Sequence, residues 1–210
     1  SPGSPGGALG YANRQGSGQG LPNGYLGVGF DVYGNFADTS TDITAQCSGT
    51  KTGRKANAVT LRGPGAKDAN GQWVQGYCPV GQTASLGSGK TLVSTSASVL
   101  DNTAMQAALL NSQRKTRVTV YPPVNGQSGP RVTVEIDFGS GYELVLDRTM
   151  TQAAPALMKF GFLGSTGGSR DVHLVGGVRV GTILPMQSLD LVKSVDGDLS
   201  PGPTYSVGDI

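Results

Sequence analysis

The stretch from Leu26 to Asn35, LGVGFDVYGN, sets two small polar side chains, Asp31 and Asn35, four positions apart among apolar and aromatic neighbours. Residues two apart point the same way in an extended chain. Asp31, the carbonyl of Tyr33 and Asn35 therefore offer a carboxylate, a backbone oxygen and an amide oxygen from one short loop. Those are the ligand types that calcium gathers, about six to eight at a time. A later acid has to join them, and Asp38 and Asp42 are both candidates. The competing reading is structural: Asp31 and Asn35 shape a turn through side-chain to backbone hydrogen bonds.

Three other groupings bear on chemistry. In VEIDFGSGYE, Glu135 and Asp137 alternate onto one strand face, as carboxylates for glycoside hydrolysis do. Such enzymes divide nucleophile and acid between two carboxylates about 5 Å apart. The position two residues further along that face is Gly139, and Glu143 lies beyond a turn, so hydrolysis lacks its second group. GSGKT, from Gly87, imitates a phosphate loop but has Ala84 where the first glycine belongs. Cys47 and Cys78 form a disulfide if the chain is secreted, restraining a long loop by roughly 3–4 kcal/mol, or stay as two buried thiols. With a single distant histidine, His173, they fall short of a zinc set, and His173 itself reads as a structural residue on a strand.

The elements that must position these residues are short strands. The chain has 34 Gly and 12 Pro in 210 residues, and only 14% charged residues. Glycine clusters alternate with apolar period-two segments, which is the pattern of many strands joined by tight turns. Val28, Phe30 and Val32 alternate with Gly29, Asp31 and Tyr33. AVTLRG (58–63) is a second strand, and a turn at 68–71 precedes Trp73 and Tyr77. TRVTVYP (116–122) and RVTVEIDF (131–138) form a hairpin, with YELVLD (142–147) pairing next. MKFGFLGS (158–165) and DVHLVGGVRV (171–180) read as two more strands around a TGGS loop. The one helix expected runs from Thr103 to Lys115, capped by Asp101 or Asn102. The sum is an all-β, antiparallel sandwich.

Net charge is +2 with scattered basic residues, so the stripe that nucleic acid requires is missing. No apolar run reaches membrane-spanning length. The chain opens SPGSPGGALGY without Met and is expected to be a piece of a longer protein, so a missing secretory signal carries no information.

GGALGY (6–11), GYLGVGFDVYGNF (24–36), NAVTLRGPG (57–65), QGYC (75–78) and KFGFLGSTGGSRDVHLV (159–175) occur in an order and spacing that resemble the L-type (legume-like) lectins of bacterial surface proteins. The resemblance runs from about Gly6 to Val180. It implies a concanavalin-like jelly roll over 1–182, with the first strands of the lectin lying before residue 1. The tail LDLVKSVDGDLSPGPTYSVGDI, within 183–210, resembles a linker and the first strand of an Ig-like repeat of surface adhesins.

What the resemblance implies about the site is specific. Asp31, Tyr33, Asn35 and Asp38 would hold calcium, and Asn35 would also reach the sugar. Gly7 and the Thr166, Gly167, Gly168 loop would bring backbone N–H groups close to sugar hydroxyls. A transition-metal Glu of the plant relatives is replaced by Gly29. The expected function is a non-catalytic, carbohydrate-binding module of a bacterial surface adhesin, extracellular, with a glycan or glycoconjugate and further Ig-like repeats as partners. The alternatives are a structural or protein-binding sandwich and, less favoured, a glycoside hydrolase.

Overall fold

The computed structural model describes residues 2–13, 19–38, 47, 53–71, 73–92, 103, 107, 110, 113–167 and 173–182. The chain divides into two units, Ser1–His173 and Leu174–Ile210. The expected Ig-like strand, 183–210, lies outside the described residues. The described part of the second unit, 174–182, is exposed and without regular secondary structure.

Among the described residues, the first unit is mostly strands in antiparallel sheets. β1 (Gly27–Asp31), β2 (Ala58–Arg62) and β5 (Pro79–Gln82) form one sheet in the order β1-β2-β5. β3 (Gly65–Lys67) and β4 (Trp73–Gly76) form a hairpin about the expected turn, where Gly71 N–H donates to the Asp68 carbonyl at 3.0 Å. β6 (Lys115–Tyr121), β7 (Arg131–Asp137) and β8 (Tyr142–Thr149) form a consecutive three-stranded sheet. The strands read from the sequence at 58–63, 116–122, 131–138 and 142–147 are therefore present, with ends shifted by a residue or two.

The two larger sheets share an aliphatic core. Val59 and Leu61 of β2 pack with Val132, Val134 and Ile136 of β7, Leu146 of β8, and Met150. All seven are essentially inaccessible to solvent. Period-two alternation explains which side chains meet: Val132, Val134 and Ile136 share one face of β7, while Arg131, Thr133, Glu135 and Asp137 take the other.

β2 is buried on both faces. Opposite Val59 and Leu61, its other face carries Ala58, Thr60 and Arg62, in register with Asp31, Gly29 and Gly27 of β1. The two glycines leave room for aromatic rings. A Cβ on Gly27 would collide with Tyr11, and one on Gly29 with Phe36. Tyr11 meets Phe36 and Tyr77 edge to face, with centroids 6.4 and 5.3 Å apart. These rings, with Ala8 and Ala12, make a second, smaller core.

Cys47 and Cys78 form a disulfide that closes a separation of 31 residues, with Cα atoms 5.4 Å apart. On the chain-entropy account this restrains the unfolded chain by about 3–4 kcal/mol.

Two strand expectations are corrected. Residues 158–165 and the described part of 171–180 have no strand pairing among the described residues. Strand identity requires a hydrogen-bonding neighbour, and alternation alone does not supply one. Phe160 and Phe162 instead stack edge to face at 6.4 Å and stay largely exposed. The helix expected over 103–115 falls mostly outside the described residues. Thr103, Ala107 and Leu110 are helical and exposed, and Lys115 already belongs to β6.

Candidate glycan-binding loop cluster

Asp31 ends β1, and the chain then turns through Gly34 into a short 3-10 turn, Asn35–Ala37. Gly34 has φ 97°, and a Cβ there would collide with the backbone at Lys55. Only glycine adopts that conformation at no steric cost. Its carbonyl accepts from Lys55 N–H at 3.0 Å, and the Val32 carbonyl accepts from Asn57 N–H at 2.9 Å. The loop is thus pinned along its outer edge by the residues that lead into β2.

Its inner side is pinned by two buried charged side chains. Asp31 Oδ2 accepts from Phe36 N–H at 2.6 Å. Arg62 donates from Nε to the Phe36 carbonyl at 2.8 Å, from one terminal nitrogen to the Tyr77 carbonyl at 3.0 Å, and from the other to the Asp38 carbonyl at 3.2 Å. Its guanidinium also lies 5.1 Å from the Phe36 ring centre. The side-chain to backbone hydrogen bond expected of the turn-shaping reading is present at Asp31.

Gly7 belongs to a second short 3-10 turn, Gly6–Ala8. A Cβ on Gly7 would collide with the Cβ of Asn35, so the two loops touch where the resemblance pairs them. The third loop arrives from the other end of the unit. Gly6 N–H donates to Ser165 Oγ at 2.6 Å, Leu163 packs on Gly10, and a Cβ on Gly167 would lie 3.8 Å from Gly6 Cα. Gly7, Asn35 and Gly167 therefore come from three separate segments to one locality. Gly7 and Asn35 are half-buried, while Thr166 and Gly167 are exposed. Gly168 lies outside the described residues. Tyr33 is 55% exposed, and the Arg54 guanidinium sits 4.3 Å from its ring centre.

The four expected calcium donors, Asp31, the Tyr33 carbonyl, Asn35 and Asp38, all lie at the end of β1 or on the one turn that follows it, where Arg62 binds two of the backbone carbonyls. Asp31 gives one oxygen to Phe36 N–H, and the Phe36 and Asp38 carbonyls are taken by Arg62. A fixed guanidinium charge inside the loop opposes a second cation. Among the described residues, no group of three or more His, Cys, Asp or Glu side chains stands together for a metal. Asp42 lies outside the described residues. Gly29 has its own reason to be glycine, since the Phe36 ring occupies the space of any side chain there.

The other groupings make contacts within the fold. Glu135 pairs with Arg117 at 3.2 Å, and Asp137 with Lys115 at 4.0 Å. Asp137 also accepts from the N–H groups of Gly139 and Gly141, which holds its carboxyl below the usual range. Lys90 of the GSGKT segment pairs with Glu143. His173 is exposed, with its ring and Cβ against Gly164.

Arg62, Phe36 and Ser165 were not legible as site residues. The signal for the first two was glycine at alternate positions of a strand, 27 and 29, which marks a close approach by another group. Arg62 alternates with Thr60 and Ala58 and so imitates a solvent face. Burial also marks the rings beneath the loops. It pushes the Tyr77 phenol up to about 12, and the Tyr11 phenol higher still, the latter helped by its neighbour Tyr77.

In comparisons with protein-family models, curated proteins and solved structures, the chain matches none.

Proposed function

We propose that the chain is a carbohydrate-binding, lectin-like module of a bacterial surface adhesin. Its two larger sheets are read as parts of a concanavalin-like antiparallel sandwich. The observation that carries the reading is the meeting of three loops, bearing Gly7, Asn35 and Ser165–Gly167. Glycine backbone can approach a sugar hydroxyl closely because no Cβ intervenes, and the Asn35 amide offers both a donor and an acceptor. Tyr33 adds an exposed ring face beside that loop. The disulfide suits an extracellular or cell-surface location. Calcium is left out of the reading, because the loop's carbonyls already have a cationic partner in Arg62.

Such a site is shallow, so the affinity of one copy is roughly 0.1–1 mM, and adhesion then relies on several copies. Further Ig-like repeats of the same chain would space the module from the surface. The reading is non-catalytic, since Glu135 and Asp137 are engaged in ion pairs and a turn.

A second reading is favoured by one observation. Asp31 turns inward to Phe36 N–H, which is what a sandwich needs to keep its loop after losing sugar binding. A glycan array separates the two, with the chain displayed multivalently on beads. The carbohydrate reading expects retention on a defined subset of glycans. It also expects that retention to be lost in Asn35→Ala at an unchanged melting midpoint. Parent protein that binds no glycan leaves the structural or protein-binding sandwich as the reading.

A further inference from the structure

Phe36, the residue next to Asn35, has both its backbone groups bound by ionisable side chains. Its N–H goes to the Asp31 carboxylate at 2.6 Å, and its carbonyl receives Arg62 Nε at 2.8 Å. Arg62 is 1% exposed, and its three arms reach carbonyls from two segments, Phe36 and Asp38 on the Asn35 loop and Tyr77 beside the disulfide. A calcium ion orders a loop by gathering oxygens, backbone carbonyls among them. A guanidinium does the same with a planar fork of donors and a charge that ordinary pH does not remove. The Phe36 ring, over which the guanidinium sits, fills the space above Gly29 and seals the arrangement from solvent.

We propose that Arg62 is the positioning residue of the loop cluster: its guanidinium, rather than a divalent cation, holds Asn35 in place against Gly7. The consequence for glycan binding rests on the carbohydrate reading above; the ordering of the loop does not. Lysine cannot substitute, because one ammonium on a flexible stem does not span three carbonyls held by a fork.

The test uses the whole chain. First, the parent is melted in millimolar calcium and in EDTA. The midpoint is expected to be the same in both. A calcium-dependent rise of several degrees, the size that a well-saturated ligand gives, overturns the proposal. Second, amide exchange at Phe36 is compared between the parent and Arg62→Lys and Arg62→Met. Exchange at least tenfold faster at Phe36 is expected in both variants, with Val134 in the other sheet still protected. Unchanged protection at Phe36 in a folded variant overturns the proposal. Where Arg62→Met does not fold, Arg62→Lys and the chelator melt decide. Third, array retention is read on the folded variants. Loss without restoration by calcium is expected, whereas restoration by calcium counts against Arg62 as the organiser. If the parent retains no glycan, the carbohydrate reading falls alone, and the melt and the exchange at Phe36 still decide the role of Arg62.

Discussion

Val59 and Leu61 leave one face of β2 for an aliphatic core shared with β7 and β8, while Ala58, Thr60 and Arg62 leave the other for aromatic rings and charged groups. Both faces are buried, yet they do different work. The aliphatic face joins sheets through non-directional packing, where volume and apolar surface decide the energy. The second face holds loops through directed bonds: Tyr11 hydroxyl to the Gly63 carbonyl at 2.8 Å, Tyr77 hydroxyl to the Leu21 carbonyl at 2.7 Å, and the three arms of Arg62. Buried polar networks of this kind are costly when half satisfied, so each member constrains the others. The loop cluster lies over the second face only. One strand therefore carries a face that makes the fold and a face that shapes a site.

The sharpest way to break the contrast is Gly29→Glu. It introduces a carboxylate at a position where any Cβ collides with the Phe36 ring. Phe36 is 1% exposed, and expelling such a ring costs about 3–5 kcal/mol, with an uncompensated buried carboxylate adding to it. We expect a variant that melts far below the parent, or does not fold, and that no transition metal rescues. Rescue by such a metal would mean that the second face is a vacant metal site rather than a packed layer.

The paired strands were legible because their alternation is uninterrupted and each has a neighbour. RVTVEID needs only to face Val59 and Leu61 to be buried, and its pattern says so. FGFLG has the same alternation and forms no strand, because pairing depends on a second segment that no local pattern specifies. The candidate site was legible in part. Gly7, Asn35 and Gly167 do share a locality. The buried role of Arg62 was not legible, since an arginine at a strand end looks like a solvated residue until the rings of Tyr11, Phe36 and Tyr77 are placed over its face.

Leu61→Ala probes the first face with an intermediate effect. It deletes a fully buried side chain facing Val134 and its neighbours, for about 2–4 kcal/mol depending on how far the core relaxes. Denaturant melts should show the loss with little change in slope. Glycan retention per folded molecule should stay at the parental level, because the loop cluster touches only the opposite face. A variant that loses retention in proportion to stability would show that the two faces are one cooperative unit, and the division of labour along β2 would fail.

The smallest effect needs no substitution and appears only in alkali. Burial raises the phenol of Tyr77 to about 12 and that of Tyr11 further, against about 10 for a tyrosine in the unfolded chain. The folded state thus keeps its phenolic protons more tightly than the unfolded state does. The stability this represents is present in full below pH 10 and is lost as pH rises through 10 toward the folded values. The seven buried residues of the aliphatic core have nothing to titrate over that range, and Tyr25, packed at its edge, is raised by burial above the usual tyrosine value. Between about pH 10 and 12, glycan retention and Phe36 protection should therefore fall before the protection of Val134 does. The Tyr77 hydroxyl would then lose its bond to Leu21, and a phenolate at either ring would be buried among apolar neighbours. Tyr77→Phe removes one of the titrating groups of the aromatic layer and should move the onset to higher pH. Loss of Phe36 and Val134 protection at the same pH, with no shift in Tyr77→Phe, would mean that the alkaline transition is global and that the aromatic layer has no separate stability of its own.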